Sequence, residues 1–453
     1  MQEVRENKMG TMPLGRLILS MSLPMILSML VQACYNIIDS IFIARFSEDA
    51  LAAVSYAFPA QNLMIGVATG TGVGINALLS RSLGEKEFDR ANRTAGNGIL
   101  LAAVSSAVFL IFGLTMSEMF IAFQTATPAV IEHGRQYLTI CCALSFGIFG
   151  EITFERLMQA TGRTLLTMFT QGLGAIVNII LDPIFIFGYF GVPAMGAAGA
   201  ALATVIGQIA AFVLAVILNH KYNHDIRLTK SAFRPDRFVI GRIYAVGVPS
   251  ILMMCVGSVM TTGMNKILNS FSDMAASVFG VYFKLQSFVF MPVFGLNNGV
   301  IPVVAYNYGA KKRKRMTGAV KIACITASGF MALGLLIMQV FPVQALMLFD
   351  ASEEMLTMAV PALRTISLSF IFAGVCIALG SVFQALGRGT YSMYTSLARQ
   401  IVVLLPVAYL FSLTGNLNLV WFAFPIAEIM SIIVSLFFYI RIYKNVISKI
   451  PEE

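Results

Sequence analysis

The chain has 453 residues, of which 58% are hydrophobic and only 12% charged, with 31 Lys and Arg against 22 Asp and Glu. That charge fraction is about half of what a soluble globular domain carries, which points to a chain that lives in lipid, where only helices or closed barrels satisfy the backbone. Strand-length alternation is absent, so helices are expected, and the net charge of +9 is assigned to loops on one side of a bilayer rather than to nucleic-acid binding.

A span needs about 20 largely apolar residues. Apolar stretches bounded by charged or turn-forming clusters give twelve: 14–45, 51–80, 94–117, 133–160, 165–190 and 196–219, then 239–269, 275–307, 317–346, 359–386, 392–413 and 418–443. The polar segment Met1–Pro13 lacks a cleavage-site pattern, so the first span is expected to remain as an anchor. With the N-terminus inside, most Lys and Arg fall on one side, from Arg5, Lys8 and Arg16 through Arg81, Arg156 and Arg163 to the run Lys311–Arg315, Arg388, Arg399 and Lys449. The acidic loop around Asp350, Glu353 and Glu354 falls on the other. This bias predicts cytoplasmic termini. The expected division is an N-terminal lobe over 1–220, a basic linker over 221–242 and a C-terminal lobe over 243–453. The six cysteines sit in apolar runs and are read as packing residues.

Sliding the sequence by 225 residues aligns the halves without a gap from Pro24 to Arg163. Pro24 meets Pro249, Phe46-Ser47 meets Phe271-Ser272, Gly84 meets Gly309, Arg90 meets Arg315 and Gly162-Arg163 meets Gly387-Arg388. Six spans is an even number, so the halves enter the bilayer in the same direction and are related by an axis along its normal, a parallel repeat of the kind found in transporters.

An ionisable group inside a bilayer is a functional candidate by default. Asp39, in the stretch Tyr35-Asn36-Ile37-Ile38-Asp39, and Asp182, in Asn178-Ile179-Ile180-Leu181-Asp182-Pro183, are expected at similar depth in helices 1 and 5 of one cavity. Asn178 lies one turn before Asp182 on the same face, and Pro183 leaves a carbonyl four residues back without its partner. The second half has Met264, Val403 and Val407 at the positions of Asp39, Asn178 and Asp182. That asymmetry points to coupling, by protons or a hard monovalent cation such as sodium; the alternative is that Asp182 braces the bend and Asp39 marks a helix end. Glu151 and Glu155 in helix 4 are read as cavity carboxylates or, for Glu155, half of an ion pair with Arg156. Lys284 and Glu428 are expected to pair inside the C-terminal lobe. Met291, beside Pro292, is an adaptable cavity residue. No P-loop, no metal cluster among His133, His220 and His224, and no nucleophile–base arrangement stand out, so no enzymatic activity and no cofactor beyond the coupling ion are expected.

Over essentially its whole length the chain resembles the multidrug and toxic compound extrusion (MATE) family, in its MepA/DinF-like bacterial branch. The resemblance is carried by Leu23-Pro24, Asp39 with Phe42-Ile43, Leu51-Ala52-Ala53-Val54-Ser55, Ser80-Arg81 with Gly84, Gln159-Ala160-Thr161-Gly162, Asn178 to Pro183, and Gly196 to Thr204. It implies an all-α membrane protein of two six-helix lobes in a V, exporting drug-like cations in exchange for protons or sodium by alternating access. It further implies a cation site at Asp39, Asn178, Asp182 and Thr204 and a substrate contact at Glu155; Tyr35 and Asn36 are expected beside the first, and Glu151, Gln159 and Met291 in the cavity with the second. A monomer in a bacterial inner membrane is expected. The rival reading is a flippase-type exporter of a lipid-linked or peptide-like substrate.

Overall fold

A computed structural model describes residues 7–349 and 352–451, which contain helices and no strand; Arg5 and Asp350 lie outside the described residues. In the first half the spans are α1 (Leu14–Phe46), α2 (Glu48–Gly84), α3 (Phe88–Ala122), α4 (Pro128–Ala143 with Phe146–Ala160), α5 (Thr164–Phe187) and α6 (Ala197–Tyr222). In the second they are α7 (Arg237–Asn269), α8 (Asp273–Gly309), α9 (Arg313–Val340), α10 (Glu353–Ser367 with Phe370–Ala385), α11 (Gly389–Ser412) and α12 (Leu417–Lys449). Among the described residues ten are single helices long and apolar enough to cross a membrane, and the two bent pairs bring the number to twelve. Large apolar side chains such as Phe169, Ile176 and Ile180 stay exposed along α5, which is tolerable only if lipid covers them.

The bends in α4 and α10 are 44° and 49°, and neither is visible as a gap in the hydropathy. Each falls at a serine. Ser145 donates to the Ser106 carbonyl at 3.3 Å and Ser369 donates back to Ile366 at 2.6 Å, hydroxyl bonds that compete with the helical ladder and permit a kink.

The 225-residue register survives in detail. Shifting α2 by it gives the bounds of α8, and shifting α5 gives those of α11. Ser47 and Ser272 both cap the following helix through their hydroxyls. Lys86 and Lys311, each in the tight turn after the second helix of its half, share a left-handed φ of 59°. The positions differ where the linker was expected to run to 242: α7 begins at Arg237, capped by Asp236, whose carboxylate accepts from the Phe238 amide at 2.9 Å. The linker itself is tied to α3, because Asn97 donates to the Arg234 carbonyl at 3.1 Å and accepts from the Asp236 amide at 2.9 Å.

The halves meet along two reciprocal seams, α1 against α8 and α2 against α7. Close approach is set by repeat-related glycines. A Cβ on Gly70 would lie 2.6 Å from Ile251, and its mate on Gly295 would lie 2.6 Å from Ile26. Near the basic ends of the helices, Gly84 abuts the Tyr306 carbonyl and Gly309 abuts the Arg81 carbonyl. The seam is therefore tight from mid-depth to the face that carries the basic loops.

Candidate functional site

The polar residues of the first half gather in two connected groups. The first sits where α1 packs along α5 and α5 along α6. Asp182 is fully buried and Asn178 nearly so. With its amide oriented so that both ends are satisfied, Asn178 donates to Asp182 at 3.3 Å and accepts from the Thr204 amide and hydroxyl at 3.2 and 3.3 Å. A turn's separation puts Asn178 and Asp182 on one face of α5, and α6 supplies Thr204 from across the seam. Asp39 lies within electrostatic reach of Asp182, and one of its carboxylate oxygens is buried with no hydrogen-bond partner among the described residues. Tyr35 is half-buried, within electrostatic reach of Glu151, Asp39 and Asp182. Asn36 is exposed and makes no side-chain bond to this group. Phe42 and Phe46 pack on Phe187 with ring centroids at 6.3 and 6.4 Å, an aromatic cover over the end of the seam beyond the two aspartates.

The second group is centred on α4. Glu155 is 3% exposed and receives hydrogen bonds from the Thr170 hydroxyl at 2.7 Å and the Gln171 amide at 2.8 Å. Glu151, one turn earlier, interacts with it through space. Arg156, read from the sequence as part of a basic loop or with Glu155 as half of an ion pair, is buried; it interacts with Glu155 through space, but its hydrogen bonds go elsewhere. Its guanidinium donates to Gln159 at 2.8 Å and, across the seam, to Asn298 of α8 at 2.9 Å. Gly72 makes room for its stem, since a Cβ there would come within 2.8 Å of it. Met291 is half-buried in α8 next to Pro292.

The expected Lys284–Glu428 pair does not form. Glu428 accepts from Arg399 at 2.6 Å, while the Lys284 ammonium lies 6.0 Å from the Phe349 ring. Arg399, counted with the basic loops, sits inside α11 at the start of a π-helical stretch, Ala398–Leu404. The wider turn swings its side chain toward α12, and an arginine is the better partner for a buried carboxylate because its fork can bind without giving up its proton.

Comparison with known proteins bears on what this arrangement belongs to. The sequence model of the MatE family matches residues 24–184 and again 249–410, two copies that follow the internal repeat and together cover well over half the chain. The chain belongs to the MatE family. Its curated MATE relatives include the multidrug export protein MepA of Staphylococcus haemolyticus, 24% identical over 417 residues that span 92% of this chain and 91% of that one. MepA of Staphylococcus aureus is 25% identical over 409 residues, 89% of each. Among solved MATE structures, an outward-facing multidrug resistance transporter of the MOP superfamily superposes with a TM-score of 0.92 at 23% identity, covering 99% of this chain and all of the other. A MOP superfamily transporter of Pyrococcus furiosus, described as having a binding pocket of reverse polarity, superposes at 0.91 with 24% identity over 99% and 100%. The fold expectation of two related six-helix halves in a multi-pass membrane protein thus holds for this MATE chain.

Thr170, Gln171 and Asn298 were not singled out from the sequence of this MATE protein. A signal existed for some of them: Thr167, Thr170 and Gln171 make a polar stripe on α5, and Asn297-Asn298 is a polar pair within the apolar α8. Polarity inside a span marks a residue that needs a partner, but the partner itself is a matter of packing.

Proposed function

We propose that the chain is a secondary active antiporter that exports cationic, amphipathic compounds in exchange for protons or sodium, by alternating access between its two halves, as a monomer in a bacterial inner membrane. The observation that carries this reading is the one-sided acidic cluster: Asp182 held by Asn178, which Thr204 holds in turn, and Asp39 with an unpartnered buried oxygen among the described residues, all in the first half. An unpaired carboxylate in such surroundings is costly, and a proton or a hard cation relieves that cost. Carboxylate, amide and hydroxyl oxygens are the donors such a cation prefers. When ion-loaded, Asp39 and Asp182 no longer repel, so α1 closes on α5; when empty they push apart. An ion that prefers one of the two arrangements drives turnover through that difference.

By the positive-inside rule the basic face, with both termini, is cytoplasmic. In this reading the state with the seam closed at that face is the one open to the outside. Glu155, fixed by Thr170 and Gln171, supplies a negative charge for a cationic drug, and Glu151, Gln159 and Met291 complete the cavity. The names of the MepA relatives as multidrug exporters support the substrate class. Drug efflux in everted vesicles tests the reading with Asp39→Asn, Asp182→Asn and Glu155→Gln. The first two are expected to abolish pH- or sodium-driven export while drug binding persists, and the third to weaken drug binding. Ion-driven export unchanged in both aspartate variants overturns the coupling site.

A further inference from the structure

Two notches related by the repeat open on the basic face, each at the junction of the halves. Each is bordered by the turn between the fourth and fifth helices, at Gly162-Arg163 in the first half and Gly387-Arg388 in the second. The first notch is filled by the short N-terminal helix Lys8–Thr11. A Cβ on Gly162 would lie 3.1 Å from Lys8, 3.5 Å from Asn7 and 3.6 Å from Met9. The backbone oxygens of this helix act as acceptors: Met9 receives from Asn307 at 3.0 Å and from Arg315 at 3.1 Å, and Gly10 receives from Lys312 at 3.1 Å.

Among the described residues the second notch has no such plug, and nothing among them lies within 4 Å of a Cβ placed on Gly387. A cavity of about 310 Å³ remains there, bordered by Arg81, Arg242, Tyr308, Gly387, Arg388 and Val446, at the small end of the ligand-site range of about 300 to 1,000 Å³. Arg81 stacks on Tyr308 at 4.8 Å and shares Glu85 at 2.8 Å. Arg242 lies 5.2 Å from the Phe238 ring. Among the described residues neither Arg242 nor Arg388 pairs with a carboxylate. A recess of about 30 Å³ continues inward past Gly74 and Ala77, room for water alone, so an occupant's bulk must stay at the mouth.

We propose that this notch is a phosphate-binding site, taken by the phosphodiester of an anionic lipid headgroup or by free phosphate, and that it exists only while the two halves are closed at the basic face. Planar guanidinium forks bind phosphate oxygens in pairs of parallel hydrogen bonds. Three of them border the notch, and the one carboxylate paired with any of them among the described residues, Glu85 on Arg81, is shared with Arg90 outside it, so an anion relieves their mutual repulsion. Arg81 comes from the first half and Arg242 and Arg388 from the second. An anion that bridges them holds the basic ends together and favours the state with the opposite side open.

The test uses the full chain in nanodiscs of phosphatidylcholine, with phosphatidylglycerol added or with inorganic phosphate titrated in. Spin labels at the repeat mates Asp89→Cys and Lys314→Cys, in a cysteine-free background, report the distance between the basic ends. At ten times the dissociation constant the closed-to-open ratio is expected to rise about tenfold. Native mass spectrometry counts retained phosphatidylglycerol. R242A/R388A is expected to lower that retention roughly 25-fold, on the basis of about a fivefold effect for each basic residue near an anionic surface. K230A/K321A, which removes equal charge from exposed positions elsewhere, is expected to leave the closure response intact. A response to inorganic phosphate assigns the site to free phosphate as well, and a response to phosphatidylglycerol alone assigns it to the headgroup. If R242A/R388A fails to fold, V446E places a carboxylate in the cavity wall and is expected to abolish the response to both ligands. R242A/R388A or V446E behaving like K230A/K321A overturns the proposal.

Discussion

Two repeat-related close approaches between the halves occur where Gly84 meets Tyr306 and Gly309 meets Arg81, and a single methyl group there should decide which face of the protein is open. In Gly84→Ala the new Cβ falls inside the van der Waals shell of the Tyr306 carbonyl oxygen and 2.9 Å from the Ala310 nitrogen. Both obstacles are backbone, so no rotamer change relieves the overlap and the helices must separate. Overpacking of this kind costs about 1–3 kcal/mol, which converts to a roughly 5- to 150-fold loss in the ratio of closed to open basic ends. Gly309→Ala should act alike, its Cβ falling against the Arg81 carbonyl and 3.1 Å from the Glu85 nitrogen. The double variant should cost less than the sum, because once the seam opens for one methyl it has opened for the other. Gly329→Ala, with nothing within 4 Å of the added atom, serves as the control and should stabilise α9 by up to about 1 kcal/mol. The measurement is the distance distribution between spin labels at Asp89→Cys and Lys314→Cys. A Gly84→Ala protein whose basic ends remain as closed as those of Gly329→Ala would refute the seam as the element that sets the conformation.

Arg399→Ala strands the Glu428 carboxylate, which is 7% exposed and already has one unpartnered oxygen, so a loss of about 3–5 kcal/mol is expected. Arg399→Ala with Glu428→Ala should be milder, and thermal unfolding in detergent showing the single variant no worse than the double would count against a buried pair. At the basic face, burial pushes the Glu85 carboxyl up, but its hydrogen bonds and charge interactions with Arg81 and Arg90 outweigh this and hold it below the ordinary glutamate value. A depressed folded value means the stabilisation is present above the unfolded value and lost as pH falls through the folded one. The wild type should therefore lose melting temperature as pH falls through and below the ordinary glutamate range, and Glu85→Gln, less stable at neutral pH, should show a flatter pH dependence there; an unchanged slope would remove Glu85 from the account.

The number and order of the spans, the parallel repeat and the confinement of Asp39, Asn178 and Asp182 to one half could all be read from the chain itself. Apolar length is a local property set by the thickness of the bilayer, and the register of a duplication is preserved in the residues. The pairing of Asn178 with Asp182 was legible for the same reason, since one helical turn separates them. Partners across helices were not. Arg156 reaches Asn298 over 142 residues of sequence and Arg399 reaches Glu428 over 29, and both arginines looked like loop residues because each stands near the basic end of its span. Which neighbour a polar side chain meets inside a membrane depends on the rotation and spacing of packed helices, here fixed by glycine contacts at Gly70, Gly84, Gly295 and Gly309 and by the π-helical turn at Ala398–Leu404. Those are tertiary quantities. The repeat determined that the halves share a scaffold; only packing decided that one notch of the basic face is filled by Lys8–Thr11 while its mate beside Gly387 stays open.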